Sequence, residues 1–228
     1  MISGPLAVRA VLFDLDGTLI DTVLDLHAAA NAMLGDLGRP EIAVAAVRSY
    51  VGRGIPNLVK RVLAGNMVAA DDPAPPPKAA LDSFRHHYAI ANGRHALLFP
   101  GVREGLEAFR DLGLPLGVIT NKAEAFSVPL LEQVGLAPFF QVVVSGDVLP
   151  RAKPDPMPVI WASGRLGASP AEVLMIGDSV HDFHAGRSAG CHVFLVPYGY
   201  NEGRGVSDLA CDAIVSTLAE AAQRVSHA

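Results

Sequence analysis

The sequence predicts an α/β fold in which a doubly wound parallel sheet, with helices on both faces, is interrupted by an inserted α-helical domain. Three observations carry that reading. From about Leu97 onward, short apolar runs alternate with helix-period stretches, the pattern of a parallel sheet joined by crossover helices. VRAVLFD, near the start, is another apolar run of strand length. Between it and Leu97 the texture changes to helix formers with no clear strand.

In chain order, VRAVLFD supplies the first strand. Helices are expected at about 22–37, 55–66 and 78–91. Within that helical stretch DDPAPPPK places a surface connection at 71–78, because proline removes backbone donors and favours extended chain. LPLGVIT then reads as a strand followed by a helix from about Ala123, and FQVVVS as a strand followed by a helix from about Pro156. VLMIGD leads into a helix from about Val180, and HVFLVP and AIV complete the series. The expected division is an α/β, Rossmann-like core from 1–21 and 97–228, with 22–96 as the inserted helical domain. Trp161 is expected in the core.

The chain has 228 residues, half of them hydrophobic, enough for one large core and an insertion. Its 23 acids outnumber 18 Lys and Arg, and no basic cluster draws it to nucleic acid or anionic lipid, so neither is an expected partner. MISGPLAVRA shows no leader pattern, and no apolar run approaches the roughly 18 residues of a spanning helix, so the expected location is the cytoplasm. Cys191 and Cys211 make no disulfide framework and are expected as free thiols.

Against this background VLFDLDGTLID is unusual, since an apolar strand ends in Asp14, Asp16 and Asp21. Side chains at i and i+2 share a strand face, so the carboxylates of Asp14 and Asp16 sit together. Asp16-Gly17 also fits a plain hairpin turn. Open parallel sheets bind ligands at the carboxyl ends of their strands, where Asp14 falls. VLMIGDSVHD repeats the arrangement, with Asp178 at a strand end and Asp182 one helical turn later. Ser179 and Asp182 also make a capping-box pattern, a role compatible with a place in the site.

Were these acids to converge on a phosphate ester, each pair of charges about 4 Å apart would repel by about 4 kcal/mol at an effective dielectric near 20. A hard divalent cation with oxygen ligands, most simply Mg²⁺, fits the carboxylate supply, and a lysine would neutralise more. Lys153 in RAKPDPMP follows the FQVVVS strand in a proline-stiffened loop. Thr120 and Asn121, at a third strand end, offer a hydroxyl and an amide to phosphate oxygens, or else cap the helix that follows. His181 and His184, three apart, have no third ligand of similar softness and read as surface or packing residues. No G-x-G-x-x-G loop supports a dinucleotide enzyme.

DLDGTLID, VITNK, the lysine of AKPDP and GDSVHD, in that order, resemble the haloacid dehalogenase superfamily in its phosphatase branch. The resemblance covers nearly the whole chain and implies a helical cap where the insertion falls. It implies Asp14 as a nucleophile forming an aspartyl-phosphate, and Asp16 as the acid and then base toward the leaving alcohol and water. It implies Mg²⁺ held by Asp14, the Asp16 carbonyl and Asp178, with Asp182 behind them or acting through water. Thr120, Asn121 and Lys153 would hold the phosphoryl group, making the partner a small phosphorylated metabolite. The acid at Asp16 separates the chain from the dehalogenases and points to ester hydrolysis. YVGRGIPNLV and PYGYNEG are similar to segments of the phosphoglycolate phosphatases within that superfamily, which makes Arg53, between Gly52 and Gly54, the residue to meet a glycolate carboxylate. Tyr198 and Asn201 are weaker candidates. A sugar-phosphate mutase and a non-catalytic binding module on the same scaffold are the alternatives.

Overall fold

Apolar runs buried on both faces become the central strands. The computed structural model describes residues 5–228; the first four residues of MISGPLAVRA, read above for a leader, lie outside the described residues. The chain opens with β1 (Leu6–Val8), β2 (Ala10–Phe13) and β3 (Ile20–Asp21), then passes through α1 (Val23–Asp36), α2 (Val44–Tyr50), α3 (Ile55–Ala64) and α4 (Lys78–Ala91). It continues with β4 (Leu97–Leu98), α5 (Val102–Asp111), β5 (Leu116–Ile119), α6 (Glu124–Gln133), β6 (Val142–Val144) and α7 (Met157–Arg165). Last come β7 (Val173–Gly177), α8 (Val180–Ala189), β8 (His192–Leu195), β9 (Ala213–Ile214), α9 (Leu218–Gln223) and β10 (Val225–His227).

Six strands form one sheet in the order β6-β5-β2-β7-β8-β9, with every neighbouring pair parallel. All residues of β2, β5 and β7 are buried, which is why the sequence shows continuous apolar runs there. Alternate residues serve opposite layers: Val11 and Phe13 pack toward α5, α6 and α9, whereas Ala10 and Leu12 pack toward α7 and α8. β2 lies between β5 and β7, so the winding direction reverses at β2, the place where such sheets open a crevice at their carboxyl ends.

VRAVLFD does not remain one strand. It breaks at Arg9: β1 leaves to pair in parallel with β10 in a separate two-stranded sheet, and only β2 enters the main sheet. The burial pattern tracks the split, alternating along β1 and continuous along β2.

The helical insertion has its own core, in which Met33, Val59, Phe84 and Tyr88 pack together, joined by Phe126 and Tyr200 from outside it. α4 occupies the expected residues, α3 stops early at the left-handed Gly65, and the short α2, unexpected from sequence, buries Val47 and Tyr50. Between Asp72 and Pro77 the chain is coil and mostly exposed, with Pro76 buried. β3 and β4 pair antiparallel through Ile20↔Leu98 and Asp21↔Leu97, so the two chain crossings into the insertion are joined as one ribbon.

Trp161 is not a core residue. α7 turns Val159 and Ala162 inward and leaves Trp161 39% exposed, its ring beneath the Arg165 guanidinium one turn on. Cys191 and Cys211 are free thiols, the first buried. Among the described residues no helix is long and apolar enough to cross a membrane.

Candidate active site

Three neighbouring strands deliver their carboxyl ends to one cleft. Phe13 of β2 stands level with Val118 of β5 and Ile176 of β7, so Asp14, Thr120 and Asp178 follow within one or two residues of a common line. The Asp14 N–H donates to Ile176 O at 2.9 Å, which carries the ladder one residue past β2. The Asp16-Gly17 turn is not a hairpin, because β2 pairs with β5 and β7 and the loop instead folds back on itself, with the Leu19 and Ile20 N–H groups both on Leu15 O at 3.0 Å.

Gly17 has φ +96°, and a Cβ there would lie 2.5 Å from Asp178 Oδ2. Only a glycine lets this loop close over that carboxylate. Asp178 is further fixed by Thr18 Oγ1, which donates to its Oδ1 at 3.0 Å, and by the Tyr200 N–H, which donates to its Oδ2 at 2.7 Å.

Asp182 caps α8 and also contacts Lys153. Its Oδ2 accepts from Ser179 N at 3.0 Å and Ser179 Oγ at 2.7 Å, completing a capping box at the start of α8, while its Oδ1 accepts from Lys153 Nζ at 2.6 Å. Lys153 donates also to Asp14 Oδ1 at 2.6 Å and to Ile119 O at 2.7 Å, so all three ammonium hydrogens are placed. Burial alone would lower the Lys153 pKa, but Asp14 and Asp182 outweigh it and hold the ammonium charged.

Asp14, Asp178 and Asp182 bring one carboxylate oxygen each within 4.8 Å of the others, all buried. Lys153 is the one cation bonded to this group among the described residues, so ionised it carries an excess of negative charge. Burial first, then Asp182, pushes Asp178 up to about 6, and burial raises Asp14 well above the usual carboxylate range against the pull of Lys153. Hard oxygen donors with uncompensated charge suit a divalent cation. Asp14 and Asp178 line the cleft and Asp182 lies behind them; both oxygens of Asp178 and of Asp182 accept hydrogen bonds, whereas Asp14 Oδ2 accepts none among the described residues.

The remaining expected residues separate. Thr120 is buried, and its Oγ1 accepts the Lys122 N–H at 3.1 Å, leaving its own hydrogen to donate. Asn121 lines the cleft, but its Nδ2 donates to Lys153 O at 2.9 Å and so braces the lysine loop, and the helix cap falls on Ala123. Arg53 reaches the mouth from the insertion with φ +58°, its Nε 3.6 Å from Glu202 Oε1 and one terminal nitrogen 3.5 Å from Asp71 Oδ1. Asn201 is buried and organises its own loop, accepting from Val180 N and donating to Arg204 O and Gly205 O. The Tyr198 hydroxyl donates to Thr18 O at 2.9 Å. His184 is exposed, whereas His181 is buried 3.5 Å from Glu202 and makes no chelate with it.

Sequence reasoning missed Lys122, although VITNK contains it. Its Nζ donates to Asp16 Oδ1 at 3.1 Å and Oδ2 at 3.3 Å and to the hydroxyl of Tyr88, which comes from α4 of the insertion. Also missed was Glu202, where buried Arg61 of the insertion (2.6 Å) meets His181 of the core. A lysine directly after a polar strand end was the available signal for Lys122; nothing local marks Tyr88 or Glu202. The cleft so lined is about 710 Å³, counted to its open mouth.

Sheet order and site together define a hydrolase class. A model of the haloacid dehalogenase-like hydrolases matches residues 11–196, and the chain belongs to that family. It is similar over its full length to the phosphoglycolate phosphatase of Thiobacillus denitrificans, at 50% identity with 100% of both chains covered. The phosphoglycolate phosphatase of Nitrosospira multiformis is 48% identical over 97% of each chain. Among solved structures, that of a predicted phosphoglycolate phosphatase from Haemophilus somnus 129PT superposes with a TM-score of 0.84 at 30% identity, covering 94% of this chain and 96% of that one.

Proposed function

We propose that this chain is a Mg²⁺-dependent phosphomonoesterase that hydrolyses 2-phosphoglycolate to glycolate and phosphate, with residues 22–96 as a cap over a core of 1–21 and 97–228. The observation that carries the reading is Asp14, buried at the mid-sheet switch point and lining the cleft, one oxygen held by Lys153 and the other without a donor among the described residues. Two relatives named phosphoglycolate phosphatase, at 48–50% identity, support the substrate.

Asp14 Oδ2 attacks phosphorus in line and forms an aspartyl-phosphate as the ester bond breaks. Asp16 gives a proton to the departing oxygen, then takes one from the water that cleaves the acyl-phosphate. Thr120 donates to a phosphoryl oxygen as charge moves onto it; Lys153 supplies the ammonium counter-charge, turning the hydrogen it gives Asp14 toward a phosphoryl oxygen once substrate is bound, and Asn121 keeps Lys153 in register through its backbone carbonyl. Asp14, the Asp16 carbonyl and Asp178 would hold Mg²⁺, which when bound offsets the charge of carboxylates and phosphate together. Asp182 stands behind them, fixing Lys153 and the loop that bears Asp178.

Phosphate release tests this. Asp14→Asn should abolish turnover of 2-phosphoglycolate, EDTA should silence the wild type, and added Mg²⁺ should restore it. Full activity of the Asn variant would refute the assignment.

A further inference from the structure

We propose that Lys122 holds the carboxylate of the leaving glycolate and so sets specificity, with Tyr88 of the cap as its positioning residue; this rests on the phosphoglycolate reading above. Asp16 serves the leaving oxygen, and the glycolate carboxylate is two bonds from that oxygen. Two groups lie beside Asp16, the buried Thr22 hydroxyl, 2.7 Å from its Oδ1, and the Lys122 ammonium, 3.1 and 3.3 Å from its two oxygens; of the two only Lys122 carries a charge that a carboxylate would meet.

Lys122 is itself bonded, but its partners are Asp16 and Tyr88, on the side of the leaving oxygen; the other cations near the cleft are held by partners away from Asp16. Lys153 has its three hydrogens on Asp14, Asp182 and Ile119 O. Arg61 is spent on Glu202 and Tyr50 O. Arg53, expected from sequence to meet this carboxylate, is held at the mouth between Glu202 and Asp71 and is 41% exposed. Lys122 is 3% exposed, so an ion pair with it is shielded from solvent and worth more than one at the rim.

Tyr88 makes the arrangement depend on the cap. It is wholly buried, its ring centroid 4.9 Å from that of Phe126 and 5.7 Å from that of Phe84, with its hydroxyl on Lys122 Nζ. A seated cap thus fixes the ammonium on the side where the alcohol departs. A neutral leaving group of the same shape gains nothing from that charge.

The test compares 2-phosphoglycolate with its neutral isostere, 2-phosphoglycolamide, by calorimetric titration of the turnover-blocked Asp14→Asn protein. That protein should bind the acid about 30-fold more tightly than the amide, and adding Lys122→Met should shrink the ratio to about 3-fold or less. Lys122→Arg should keep part of the preference. Tyr88→Phe, which retains the ring and its packing, should lower the acid-to-amide ratio by about 5-fold, both as binding in the blocked protein and as kcat/KM in the active one, a change that loosened packing alone would not make. An undiminished ratio in Lys122→Met or Tyr88→Phe, in a wild-type background that turns over 2-phosphoglycolate, overturns the assignment while leaving the phosphatase reading intact. A ratio that instead collapses in Arg53→Met gives the carboxylate to the cap arginine and overturns it too. Absence of 2-phosphoglycolate turnover by the wild type overturns the reading beneath it, and this proposal with it.

Discussion

Replacing Lys153 with methionine tests the electrostatics of the site directly, because the change removes the ammonium and keeps most of the volume. Three buried carboxylates then face one another without their bonded cation. Deleting one member of a buried ion pair costs about 3–5 kcal/mol, which in a chain of this size lowers the melting temperature by roughly 6–20 °C. The loss should depend on pH with a definite sign. Asp178 sits at about 6 when folded against an ordinary 3.8, so between those values the folded protein binds more protons than the unfolded one. Stability therefore falls as pH rises through that window, by about 3 kcal/mol from this group alone, and Asp14, also raised, acts in the same direction. Without Lys153 the carboxylates hold their protons to higher pH, so the gap between wild type and Lys153→Met should be wide at pH 7.5 and narrow at pH 5. Urea unfolding in EDTA at both values measures it. Saturating Mg²⁺ at pH 7.5 should recover about 3 kcal/mol at a hundred times its Kd. Equal stability of the two proteins at pH 7.5, or a gap indifferent to pH, would refute the account of Lys153 as the counter-charge of this cluster.

Other perturbations have equally definite outcomes. The His181 hydrogen bond and Arg61 hold the Glu202 carboxyl at about 2 against an ordinary 4.5, so its stabilising effect is complete above 4.5 and lost as pH falls toward 2; Glu202→Gln should cost about 2–4 kcal/mol at pH 7 and little at pH 2.5, read by urea midpoints. Gly17→Ala forces a side chain into φ +96° and against Asp178 Oδ2 at 2.5 Å, and should destabilise by about 1–3 kcal/mol while weakening Mg²⁺ binding in a calorimetric titration. Trp161→Ala removes a half-exposed ring and should shift the urea midpoint by less than the equivalent of about 1 kcal/mol.

The parts of the fold legible in the sequence are those whose cause is local. Burial on both faces makes β5 and β7 continuous apolar runs, and α4 begins directly after the prolines that precede Lys78. α5 was missed although Val102, Leu106 and Phe109 form a clear buried stripe, because charged residues fill most of the positions between them. Trp161 was misplaced because ring size argues for burial only until the helix phase is known, and the phase of α7 is set by Val159 and Ala162. The split of VRAVLFD at Arg9 depends on β10, more than two hundred residues away, and no local feature announces it.

The site divides along the same line. Asp14, Thr120 and Asp178 come together because β5, β2 and β7 are adjacent, and adjacent strands are about 4.8 Å apart, a spacing that suits the oxygens of one phosphoryl group. Once the sheet order is known, those positions follow from counting to the end of each strand. Lys122 follows from the same count, but its meaning does not, since its partners are Tyr88, 34 residues away on the insertion, and Asp16, 106 residues away in the first loop. Glu202 and Arg61, 141 residues apart, meet only where insertion and core touch. On the proposed reading, the phosphoryl-facing half of the cleft thus belongs to one sheet, whereas the half that meets the leaving group is assembled across the boundary between core and insertion. Substitutions in the first half should act on the rate for every phosphomonoester alike, and substitutions at Lys122 or Tyr88 should reorder them, which a panel of small phosphate esters assayed at subsaturating concentration would separate. Parallel losses across the panel from both halves would show that the division of labour drawn from the geometry is wrong.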